Sequence, residues 1–337
     1  AQEANAYFDP GIGALVFGYF RASMTAAGGN LPGGFVFTCL SHDICAHEVT
    51  HALLHGMRDR FSVVTNPDVP AFHEAFADLV AILQRFSLPR FVEEAIARTS
   101  GSLRGTTRLV ELGRQFGEAI GRRGALRSAM GKAPDPSALE QVWEPHERGS
   151  ILVAAVFDAY LTVYQRRTRD LLRLATGGPG LVPKGDMAPD LVGRLAKEAR
   201  RTAEHFLTII IRAIDYCPPV DIEFGEFLRA MITADKDLVP DDPYGYRAAL
   251  IDAFRKRGIY PKGVFSLSEE SLLWTGPRGK PDTKGIDFEK IRFDRAPQEA
   301  TDPDDKDAYY ILFHKCVDRP RNRRLFGLDG KAPVQVR

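Results

Sequence analysis

Along the chain the spacing of apolar positions changes near residue 41. Residues 5 to 40 mix aromatic and β-branched side chains with Gly-rich turns (Ala27-Gly28-Gly29-Asn30, Pro32-Gly33-Gly34), the texture of a short β region. Beyond it, apolar residues recur every three or four positions, which predicts helices over approximately 42–58, 70–86, 90–98, 107–122, 148–168, 190–214, 222–233 and 243–257. The Gly- and Pro-rich stretch from Gly177 to Pro189 reads as a loop between two of them, and Arg122-Arg123 and Arg166-Arg167 as solvated helix ends. After Pro261 the texture turns to mixed charge with frequent Pro and Gly. There Ile286 to Phe293 and Tyr309 to Val317 read as strands of a small extra module, and Ala300 to Asp307 as an acidic connector. The expected fold is α+β and predominantly helical: one unit over 1–261 (β-containing 1–40, helical 41–261) and a C-terminal extension of unknown role over 262–337.

Candidate chemistry sits where the helical pattern begins. In His47-Glu48-Val49-Thr50-His51 the two histidines lie four apart and share a helix face, so both can grip one metal ion while Glu48 projects beside them as a base. The pattern arises by chance in about 1 in 100 chains of this size, and its context lowers that further. Ser41 and Asp43 precede an apolar run of Ile44, Val49, Ala52 and Leu53, as a capped, buried helix begins. After the turn signals Asn66-Pro67-Asp68-Val69-Pro70, a second run from Phe72 to Phe86 puts Glu74 and Asp78 four apart on one face. Glu74 can supply the third ligand of a catalytic zinc site, and Asp78 can accept a hydrogen bond from the outer ring nitrogen of a ligating histidine. An extended pattern with a third histidine fails, because Leu54 and Met57 stand at those positions. His42, His55 and His73 read as packed or hydrogen-bonded histidines.

Taken in order, these stretches resemble the thermolysin-like metallopeptidases of the gluzincin class, over about residues 5 to 261. Asn5-Ala6-Tyr7-Phe8 is similar to the family's edge strand, which pairs with substrate backbone. Residues Asp43 to His51 resemble its active-site helix and His73 to Asp78 its second zinc helix. Ala125-Leu126-Arg127-Ser128 is similar to the segment whose arginine binds a substrate carbonyl, and Pro145-His146 precedes a long helix as the family's transition-state histidine does. The resemblance implies a zincin-like fold, one zinc ion held by His47, His51 and Glu74, Glu48 as general base, and His146 and Arg127 as catalytic helpers. It implies peptide or protein substrates, with Asn5 and Ala6 on their backbone and Ile44 and Leu126 lining an apolar pocket for the residue after the cleaved bond.

The chain also departs from the family. Thr65 stands where the family has a tyrosine, and no tyrosine lies between His51 and Glu74. Gln141 stands at the offset of the acid that orients the histidine, so Glu140 or Glu144 would substitute. Arg85 stands where a calcium-binding acid is expected beyond Asp43, so calcium is not expected. The family's larger β lobe upstream is mostly missing. These departures leave a second reading open, a catalytically silent gluzincin domain serving as a binding or scaffold module.

With 337 residues, 44% apolar content and a formal charge of +1, the chain can bury a full core, and near-neutrality argues against nucleic-acid or membrane-surface partners. The longest apolar runs, Ile151 to Tyr164 and Phe206 to Ile214, are too short or carry a charge such as Asp158, so no membrane span is expected. The first residue is not Met, so the sequence reads as a processed or excised fragment and a missing signal peptide says little. Cys39, Cys45, Cys217 and Cys316 show no paired metal spacing and no disulfide framework, which leans towards a reducing, cytoplasmic compartment. Cys45 reads as a small buried hydrophobe. Nothing in the sequence speaks to oligomeric state.

Overall fold

Two β-hairpins open the chain. β1 (Ala6–Asp9) pairs antiparallel with β2 (Ala14–Phe17), and β3 (Tyr19–Arg21) with β4 (Phe35–Phe37). They meet at Gly18, whose N–H donates to Asn5 O at 2.9 Å and whose carbonyl accepts from Thr38 N. A side chain there would put a Cβ 2.1 Å from Glu3 O, so only glycine allows the chains to cross. Val36 and Ala22 are buried on the inner face of the second hairpin with Phe20 against them, while Tyr19, Phe35 and Phe37 form an exposed aromatic cluster on the other. This is the computed structural model of the chain, and it describes residues 2–25, 30–104, 111–112, 127–128, 133–178, 180, 187–274, 279–285, 314–326 and 328.

The rest is predominantly helical. The principal helices are α1 (His42–Met57), α2 (Asp68–Arg85), α3 (Pro89–Arg98), α4 (Pro145–Thr176), α5 (Pro189–Ala213), α6 (Phe224–Leu238) and α7 (Tyr246–Arg255). Short turns at Ala138–Gln141, Glu269–Leu272 and Pro320–Leu325 accompany them. One core runs through α2, α4, α5, α6 and α7, and Val264, Leu267, Leu272 and Leu273 pack against it too. At its centre Phe72 meets Phe61 and Phe227 edge-on, at ring-centroid distances of 5.5 and 4.9 Å.

Several boundaries differ from the sequence expectation. α4 starts at Pro145 and runs to Thr176, because after Gly149 no Gly or Pro occurs before Gly177, which closes it in the left-handed conformation at φ 65°. Arg166 and Arg167 therefore lie inside a helix. Arg166 donates to the carbonyls of Tyr244 and Gly245, while Arg167 pairs with Glu198 at 2.6 Å and lies over the Tyr244 ring. Glu111–Leu112 is a strand paired with Arg127–Ser128, where a helix over 107–122 is expected; a short apolar run does not by itself distinguish the two states. The remainder of that span, with Arg122 and Arg123, lies outside the described residues. Residues 314–317, the end of an expected strand, are helical, and the strand expected over 286–293 lies outside the described residues, as does 300–307.

On α1 two members of the expected apolar stripe are turned outward, and the other two, Ile44 and Ala52, are half-buried. Val49 and Leu53 are 39% and 60% exposed, whereas His47, Glu48, Thr50 and Leu54 are buried. Ser41 is the N-cap residue, but its hydroxyl donates to Asp43 Oδ1 at 2.5 Å and caps no backbone N–H.

The Phe72 environment makes a prediction. Phe72→Ala is expected to lower the unfolding free energy by about 3–5 kcal/mol, the usual cost of emptying an aromatic site in a core. Leu174→Ala, at a position 83% exposed, should stay within about 0.5 kcal/mol of wild type. Urea unfolding of both variants checks the contrast.

Candidate metal centre

α1 and α2 run antiparallel and are tied along their length by polar pairs. Asp43 in the first turn of α1 meets Arg85 at the end of α2 at 2.7 Å. His47 Nδ1 stands 2.8 Å from Asp78 Oδ1, and His51 Nδ1 stands 2.6 Å from His73 Nδ1. Asp43 and Arg85, the two positions weighed for calcium, are thus an ion pair.

Between the two helices His47, His51 and Glu74 bring one ligand atom each within 4.8 Å of one another, a group that could hold a metal ion. The two Nε2 atoms are 2.9 Å apart; Glu74 Oε2 is 3.4 Å from His47 Nε2 and Oε1 is 3.6 Å from His51 Nε2. Asp78 Oδ1, 2.8 Å from His47 Nδ1, is placed to take the ring proton on that side once a cation occupies the centre, so that Nε2 can turn a lone pair to it. Two such nitrogens and a carboxylate converging on one point suit a divalent cation. Burial opposes ionisation of Glu74, but hydrogen bonds from His146 and His47 and the nearby His51 outweigh it and hold its carboxyl well below the usual carboxylate range.

These side chains open into a cleft of roughly 1650 Å³. Its wall includes Glu48, buried on α1, together with Asn5, Ala6, Ile44 and Asp78. His146 lies at the start of α4 with Nε2 3.2 Å from Glu74 Oε2 and Nδ1 2.9 Å from Glu144 Oε1. Glu144, not Glu140, is therefore the acid that orients it. Glu144 also caps α4 by accepting from Glu147 N at 2.7 Å. Arg127 belongs to the short paired strand Arg127–Ser128, and Leu126 lies outside the described residues.

The sequence did not single out His73 as a partner of a ligand. It follows α2's inward edge one residue before Glu74, and burial drives its imidazole down to about 4 against the pull of Glu74, so it is neutral near pH 7. A neutral ring can accept at Nδ1, and acceptance from His51 puts the His51 ring proton on Nδ1 and its lone pair on Nε2, the atom that faces the centre. Its adjacency to Glu74 was the only signal available. His55 bonds to Ser62 Oγ at 2.9 Å and packs on Phe8. Cys45 is only partly buried, and its thiol donates to Cys39 O at 3.2 Å, which corrects the expectation of a buried hydrophobe; all four cysteines are free thiols.

Scans against protein-family models, curated proteins and solved structures return no match for this chain.

Two variants test the donor geometry. Glu74→Ala should lose most of its metal retention, and full occupancy would move the third ligand elsewhere. His73→Ala should weaken metal affinity about 10- to 100-fold, the usual cost of losing a partner behind a ligating histidine. Competition against a chromogenic chelator measures both.

Proposed function

We propose that the protein is a zinc-dependent endopeptidase whose catalytic unit is zincin-like and of the thermolysin-like gluzincin kind. The observation that carries this reading is the convergence of His47, His51 and Glu74 from two helices, with Glu48 buried beside them in a cleft that β1 borders. Zinc takes nitrogen and oxygen ligands at about 2.0–2.2 Å in a tetrahedral array, which sets ligand atoms about 3.3 Å apart. The 2.9, 3.4 and 3.6 Å separations here bracket that value.

When bound, the zinc ion supplies Lewis acidity that polarises a scissile carbonyl and acidifies a water molecule. Glu48 takes the proton of the attacking water and delivers it to the leaving nitrogen. His146, held by Glu144, donates a hydrogen bond to the carbonyl oxygen as negative charge builds on it. Asn5 and Ala6 pair with substrate backbone, Arg127 holds a substrate carbonyl, and Ile44 with Leu126 favours a large apolar side chain after the cleaved bond. Asp78 and His73 act through His47 and His51. The substrate is a peptide or protein, and no helix among the described residues is long and apolar enough to cross a membrane.

A second reading, a catalytically silent gluzincin domain that binds or scaffolds, is favoured by Thr65 standing in place of the family's tyrosine. Glu48 weighs against it, because a purely structural metal site has no use for a base.

A quenched-peptide library assayed with and without chelator separates the two readings. Cleavage abolished by chelator and restored by zinc is the expected result. Glu48→Gln should retain metal and fold while losing hydrolysis; activity within a factor of about ten of wild type would remove Glu48 from the mechanism. His146→Ala should lower kcat about 100-fold or more with little change in KM and metal content.

A further inference from the structure

His146 reaches Glu74 only because the first turn of α4 is held against α2 at one place. Capping by Glu144 and Pro145 at the first helical position determine where α4 begins along the sequence, but not where it sits in space. Two other features do that, and neither has a part in the chemistry proposed above.

The first is a buried ion pair. Arg148, two residues after His146, donates from Nε to Asp68 Oδ1 at 2.7 Å, and its Nη2 stands 2.6 Å from the same oxygen. Its Nη1 donates to the carbonyls of Leu139 and Val142, at 2.6 and 2.8 Å. Asp68 is the first residue of α2, the helix that carries Glu74, and its Oδ2 accepts from Phe224 N at 2.9 Å, at the start of α6. One guanidinium thus joins the starts of α4 and α2 and the segment leading into α4. The second is Gly149. A Cβ there would stand 2.7 Å from Ala71 O and 3.3 Å from Ala75 N, so the backbones of α4 and α2 touch on either side of Glu74.

A buried ion pair is weak evidence for stability, since apolar residues of the same volume often serve as well. Its value lies in fixing registry. Two N–H groups on one carboxylate oxygen and Nη1 on two carbonyls allow the guanidinium one placement, and close backbone contact at Gly149 removes the freedom to slide or lift. We infer that Asp68, Arg148 and Gly149 are positioning residues: a clamp that sets His146 over the metal donors. The inference rests on the peptidase reading only for what His146 then does.

The test uses the full chain with Gly149→Ala and, as a variant milder to the fold, Arg148→Lys, which keeps the charge and loses the fork. In crystals of either variant the separation of His146 Nε2 from Glu74 Oε2 should exceed about 3.5 Å, beyond hydrogen-bond reach. In the peptidase assay kcat should fall about 10- to 100-fold, the effect of displacing a catalytic group by about 1 Å, while KM and metal content stay at wild-type values. Adding His146→Ala to either variant should cost little more, because the clamp acts through that ring. A separation still at the wild-type value, or losses that multiply in the double variants, would overturn the clamp. If the wild-type protein cleaves no peptide the peptidase reading fails, and the crystallographic separation still decides the clamp.

Discussion

Burying polar side chains along the inner face of α1 is the constraint on which the rest of this structure depends. His47, Glu48 and Thr50 occupy positions that an ordinary amphipathic helix gives to Leu or Val, and only Leu54 completes the stripe in the usual way. A polar group withdrawn from water without a partner costs several times what a hydrogen bond returns. Thr50 satisfies itself locally, on Ala46 O at 2.7 Å. The histidines cannot, and the partners they need come from α2.

α2 consequently serves two environments at once. Phe72, Phe76, Leu79 and Leu83 pack into the central core, while His73, Glu74 and Asp78 line its opposite edge and face α1. The apolar side supplies rigidity that the polar side cannot generate. With close-packed rings on one face, the carboxylates on the other have little freedom to retreat, and donor separations near 3 Å survive without a covalent tie. The Asp43–Arg85 pair adds a cross-tie at the far end of the two helices.

The same economy extends to α4. Its middle contributes Phe157, Tyr160 and Tyr164 to the core, and its first turn brings His146 to the edge of the donor set. Stability and chemistry are thus assigned to different turns of one long helix, which lets the core fix the orientation of a half-exposed imidazole.

Local periodicity carried much of this. The helical repeat alone places His47 with His51 and Glu74 with Asp78, because residues four apart share a face whatever the surroundings, and the run of helices and the N-terminal β region follow from spacing and turn residues in the same way. It could not say which face of α1 is buried: hydrophobicity pointed to Val49 and Leu53, and contact with α2 selected the histidines instead. Nor could it choose Glu144 over Glu140, pair His73 with His51, match Arg148 with Asp68 across 80 positions, or carry α4 past Arg166 and Arg167. Each of these is a meeting between segments distant in sequence. The spacing of residues along a helix is a property of the chain, but the partner each residue finds is decided only when α1, α2 and α4 pack together, because burial is what makes one pairing cost less than the others.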